Sequence, residues 1–156
     1  MTRHDLQKFI GNSNIAAFLK AIRLGEGTSD DLGYFRIVGG QNFTSEDHHP
    51  NVRVYIPRYG VWSTAAGAYQ IINRTWNGLV KQYGFPDFSP ECQDEAAVAL
   101  IVGRGAIDDV ISGDLAEAVK KCSEEWASLP GSTAGQRVES YENVKQAYLD
   151  AGGKLA

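Results

Sequence analysis

The chain has 156 residues, with 15 Lys and Arg against 19 Asp and Glu, 43% hydrophobic residues and two cysteines. That length suits one domain, able to bury roughly 70% of its unfolded surface without a disulfide or metal staple. The composition fits neither a disordered chain nor a membrane-spanning one, and a net charge of −4 argues against a general nucleic-acid binder.

Glycine is in surplus: 17 in 156, about 11% against a usual background of about 7%. Five fall between Gly25 and Gly40, a segment that must need unusual backbone angles or close approach. The polar N-terminal run leads into no apolar stretch resembling a signal peptide, which predicts synthesis in a cytoplasm and a separate route for any work outside it. No run reaches the ~18 apolar residues of a membrane span. Cys92 and Cys122 are too few for a disulfide framework and are expected reduced. No Cys or His pair has zinc-finger spacing, so no metal is expected.

In chain order, a short helix is predicted over 3–10. A longer one follows over 14–24, where Ile15, Phe18, Leu19 and Ile22 recur at i, i+3, i+4 and i+7 behind a capping Asn14. Tyr34, Phe35, Ile37 and Val38 read as a strand before Gly39-Gly40. The Val52, Val54, Ile56 alternation reads as a second strand, kept to an edge by Pro50 and Pro57. Asn73 is expected to cap a helix stopped by Gly84, and Ser89-Pro90 to open another through Ile101. Further helices fit 106–112, 115–127 and 137–151. The fold class is α+β: mostly helical, with one small antiparallel sheet inserted after the first long helix, and residues 1–156 forming a single domain.

Two segments carry chemistry. Glu26 directly follows the apolar helix between Gly25 and Gly27. A carboxyl at a helix C-terminus feels the negative end of the dipole, and partial burial raises its pKa further. A protonated carboxyl near neutral pH is what acid-catalysed cleavage of a glycosidic bond requires. The second segment is Ser63-Thr64-Ala65-Ala66-Gly67-Ala68-Tyr69-Gln70-Ile71. Its small residues admit a ligand to the backbone, while the Tyr69 hydroxyl and Gln70 amide suit sugar hydroxyls. Each segment also has a plain structural reading, as a solvated helix end and a loop-to-helix transition.

An apolar helix ending in Glu-Gly, a short sheet and a Gly-x-Tyr-Gln turn together resemble the lysozyme superfamily. Within it, the chain most resembles the lambda-type phage endolysin family of lytic transglycosylases. The matching islands include Glu26-Gly27-Thr28, Ile37-Val38-Gly39-Gly40, Gly67-Ala68-Tyr69-Gln70, Asp87-Phe88-Ser89-Pro90, Trp126-Ala127-Ser128-Leu129-Pro130-Gly131 and Gly135-Gln136.

The resemblance implies a lysozyme-like fold and cleavage of the β-1,4 bond between N-acetylmuramic acid and N-acetylglucosamine in peptidoglycan. It implies a 1,6-anhydromuramic product, Glu26 as the catalytic acid and then base, and no cofactor. Ser63, Thr64, Gly67, Tyr69, Gln70 and Gln136 become candidate sugar-binding residues. A hydrolytic muramidase pairing Glu26 with an acid such as Asp31 or Asp47, and a non-catalytic glycan-binding module, stay open as alternatives. Phe35 stands where the family pattern has an acid, and Thr133-Ala134 where it has an aromatic.

Segments 44–60 and 130–137 would form the rims of a cleft. The first offers His48, His49, Tyr55 and Tyr59, rings suited to sugar faces. Of these, Tyr55 is expected to pack the sheet, and His48-His49 to be a surface pair rather than a metal site. Trp126 is expected in the core. The partner is the peptidoglycan glycan strand, with no nucleic acid and no stable membrane insertion. A monomer is expected, since a polymer wall favours a small, mobile enzyme. With no signal-like segment the chain is expected to accumulate in host cytoplasm, and by the resemblance a holin releases it to the wall in the periplasm.

Overall fold

The computed structural model describes residues 1–131 and 138–156. Helix α1 (Arg3–Ile10) opens with a capping box in which Thr2 and Asp5 each satisfy the other's backbone N–H. Helix α2 (Ser13–Glu26) follows, capped by the Asn12 side chain and closed by Gly27 in the left-handed conformation. Asn14 is therefore not the cap expected from sequence. Its amide instead ties the helix to the carbonyls of Ile111 and Lys154.

The predicted strand over 34–38 is not one. Gly33–Phe35 forms a 3-10 turn, because the Tyr34 hydroxyl is drawn down 2.8 Å from the Asp94 carboxylate while its ring lies under Arg23. Beyond it the chain makes single bridges only, Arg36 with Asn42 and Ile37 with Ala66. The sheet is instead a hairpin of β1 (Val54–Ile56) and β2 (Val61–Ser63), antiparallel, with Tyr55 opposite Trp62 and Ile56 opposite Val61.

Helix α3 (Asn73–Tyr83) starts one residue earlier than a capping Asn73 would require, so that Ile72 takes the cap position without a side-chain hydrogen bond. Its first N–H is satisfied from a distance, by the Thr64 hydroxyl at 2.9 Å. Helix α4 (Pro90–Gly103) opens as the Ser89-Pro90 signal predicts. It is buried on nearly every side, as its all-round apolar sequence requires. Helices α5 (Ile107–Ser112), α6 (Leu115–Cys122) and α7 (Tyr141–Asp150) complete the chain. Helix α2 packs chiefly on α7, and α1 on α4.

Helix α6 stops five residues short of the predicted 127. There the chain turns so that Trp126 enters the core and its indole N–H donates to the Tyr69 carbonyl at 3.0 Å. Both cysteines are buried and free. Among the described residues no helix is long and apolar enough to cross a membrane.

Candidate active site

Glu26 is the last residue of α2, at the point where the helix meets the hairpin and the 126–128 segment. It opens on a cavity of about 490 Å³ whose walls include Val38, Ile56, Val61, Ser63, Gln70 and Trp126. The Ser128 hydroxyl donates to Glu26 Oε1 at 3.1 Å. Gly25 makes that contact possible: a Cβ at this position would lie 2.5 Å from Ser128 Oγ. Burial pushes the Glu26 carboxyl up to about 7, against the smaller opposing pull of the Ser128 hydrogen bond. The group thus holds its proton in the neutral range, and burial is the leading cause.

Ser63 and Gln70 line the cavity with Glu26. Gln70 occupies positive φ (49°) at the end of a tight turn, and its amide donates to the carbonyls of Gly67 and Arg36. That leaves its carbonyl oxygen as the polar atom uncommitted to the turn. Thr64, Gly67 and Tyr69 do not line the cavity. The Thr64 hydroxyl caps α3 as described, and Gly67 is buried against the Gln93 carboxamide. The Tyr69 ring lies in the core, 2% exposed, with its hydroxyl donating to Asp94. These three shape the turn that presents Gln70. Gln136 lies outside the described residues.

The acids expected as second carboxylates sit elsewhere. Asp31 and Asp47 are exposed and away from the cavity wall. The second acid in the wall is Glu125, 2.7 Å from the Arg104 guanidinium. Glu125 and Ser128 were not singled out from sequence. The only signal for Ser128 is the Trp126–Gly131 island, and Glu125 lies in a stretch that reads as a continuing helix.

His49 differs from a surface residue. It is 7% exposed, its Nε2 is 2.7 Å from the Ile71 carbonyl, and its Nδ1 accepts the Asn51 N–H at 3.0 Å. Its ring edge meets Phe88, so it braces the rim rather than offering itself to a ligand. Among the described residues no group of three His, Cys, Asp or Glu is placed to hold a metal ion.

A family model described as Endolysin matches residues 16–155. The chain belongs to the endolysin family. It is 38% identical to the endolysin of Escherichia phage lambda over 151 residues, covering 92% of this chain and 94% of that one. It is 40% identical to the endolysin of Escherichia phage P2 over 157 residues, covering 91% and 94%. Two solved structures superpose on it. Bacteriophage lambda lysozyme complexed with a chitohexasaccharide gives a TM-score of 0.88 at 38% identity, covering 93% of this chain and 97% of that one. A second structure of the lambda lysozyme gives 0.82 at 35% identity, with the same coverage. The α+β reading is thus the endolysin fold, seven helices with a two-stranded antiparallel sheet among the described residues.

Proposed function

We propose that this endolysin-family chain is a peptidoglycan lytic transglycosylase that uses Glu26 alone. The observation that carries the reading is a single buried carboxyl held near pH 7, in a cavity whose other acid is already paired with Arg104. The relation to a lysozyme whose structure holds a chitohexasaccharide supports a glycan in that cavity.

In the first step the Glu26 carboxyl gives its proton to the glycosidic oxygen as the muramic C1–O bond breaks. The carboxylate then takes the proton of the muramic C6 hydroxyl, whose oxygen bonds to C1. Glu26 ends protonated, the 1,6-anhydro ring is closed, and no water is consumed. One carboxyl suffices because the substrate supplies the nucleophile, whereas a hydrolytic glycosidase normally needs two. Ser128 steadies the carboxylate between the steps, and Ser63 with the Gln70 carbonyl oxygen offers polar contacts to sugar hydroxyls. The chain would act on the wall in the periplasm as a monomer, after holin-made lesions release it from host cytoplasm.

Borohydride treatment of the products tests the reaction. Anhydro ends resist reduction and hydrolytic ends accept it, so digestion of purified peptidoglycan should yield new muramic ends that are not reduced. Fully reducible ends would assign a hydrolase. Glu26→Gln should lower the rate of clearing by at least about 100-fold, the usual contribution of a general acid.

A further inference from the structure

The β1–β2 hairpin has two faces. Ile56, Val61, Ser63 and also Trp62 line the Glu26 cavity, whereas Arg53 and Tyr55 do not. Because side chains alternate along a strand and opposite residues share a face, Tyr55 lies with Trp62 on the other face, and Trp62 joins that face to the cavity wall. They do not pack the sheet against the core, as Tyr55 was expected to do. Tyr55 is 46% exposed and Trp62 59%, their ring centroids 5.2 Å apart. The Arg53 guanidinium lies over the Trp62 ring at 4.9 Å.

We propose that Arg53 and Tyr55, outside the cavity wall, form with the outer side of Trp62 a second glycan-binding surface that adjoins the cleft and holds a neighbouring strand of the wall while the first is cut. The proposal rests on the peptidoglycan reading above. Three observations favour a glycan as the occupant. Flat exposed rings match the apolar faces of pyranoses. Residues 51–63 hold two arginines, Arg53 and Arg58, and no acid, which complements the carboxylates of peptide stems on the glycan. The surface is also continuous with the cleft, since Trp62 lines the Glu26 cavity as well. Exposed aromatic and cationic side chains suit a lipid surface as well, so that occupant becomes an outcome of the test.

The test compares the full chain with its Arg53→Gln/Tyr55→Ser variant, leaving Trp62 in place. Binding is measured by cosedimentation with purified Gram-negative sacculi, in a Glu26→Gln background so that the wall stays intact. The double variant should bind sacculi about fivefold more weakly, the loss of one ring and one cation contact. In the active background it should raise KM on sacculi while turnover of short soluble glycan fragments stays unchanged. Tyr55→Phe, which keeps the ring, should bind as the parent does.

Unchanged retention on sacculi overturns the proposal, and so does an equal loss of activity on soluble fragments, which would make these residues part of the cleft. Loss of binding to phosphatidylglycerol vesicles with retention on sacculi intact would assign the face to a membrane instead. Failure of the reaction is separate: a chain whose sacculus binding depends on Arg53 and Tyr55 but whose products are fully reducible keeps the platform and loses the transglycosylase reading.

Discussion

At the scale of single residues, the Glu26–Ser128 contact sets the expected pH behaviour. A carboxyl at about 7 must be protonated to donate, so kcat/KM should fall on the alkaline side with a pKa near that value. Ser128→Ala removes the hydrogen bond that favours the ionised form. The alkaline limb should then move to higher pH, while the rate below it falls about tenfold for want of a held carboxylate. A purely structural role for Ser128 would leave the limb where it is. The same shift has a cost in stability. The Glu26 pKa is raised on folding, so the contribution of this group is fully present below its unfolded value of 4.5 and is lost as pH rises through about 7. Glu26→Gln should therefore be more stable than the parent at pH 8, by about 1–3 kcal/mol, with little difference at pH 4. Urea unfolding at the two pH values checks both the size and the sign.

Among the elements, legibility followed locality. Helices α2 and α4 could be read because their signals lie within a few residues: the apolar spacing of Ile15 to Ile22, and Ser89 next to Pro90. The 34–38 segment looked like a strand by composition. It turns instead because Tyr34 answers to Asp94, sixty residues away, and no local pattern carries that contact. Strand β2 has three residues, too few to show alternation, and only its register with β1 reveals it. Thr64 and Tyr69, expected from sequence to meet sugar, have their hydroxyls engaged at α3 and at Asp94, contacts that no local pattern shows. Glu26 was legible because helix end, flanking glycines and downstream turn agreed; its Ser128 partner is 102 residues on.

A similar distant contact joins α1 to α4. Arg3 Nε is 2.6 Å from the carboxylate of Glu95, which is 3% exposed. Arg3→Ala would leave that carboxylate buried without its partner. Because Arg3 itself is about one-third exposed, the loss should be about 1–3 kcal/mol, below that of a wholly buried pair. The urea midpoint measures it, and a change under 0.5 kcal/mol (about the scatter of surface substitutions) would mean water replaces the guanidinium.

Over the whole molecule, charge is unevenly divided along the chain. The first 60 residues carry 7 basic and 6 acidic side chains, net +1, and the remaining 96 carry 8 and 13, net −5. The basic surplus thus falls on the segment that holds α2 and β1, while the one acid that the later part places in the cavity wall beside Glu26, Glu125, is paired with Arg104. The glycine surplus has likewise divided into two uses: Gly25 brings Ser128 to the carboxyl, while Gly67 serves a buried turn.

The two core cysteines have a further consequence, for chemistry with oxidants. Burial pushes the Cys122 thiol up to about 12 and raises Cys92 as well, so almost no thiolate exists near neutral pH. An aromatic disulfide reagent should react with neither thiol in native buffer and with two per chain after denaturation. Native reaction of even one equivalent would mean the core opens at that site. A fold without a crosslink and without an accessible thiolate has nothing for a change of redox compartment to act on, and its stability should be the same with and without reductant.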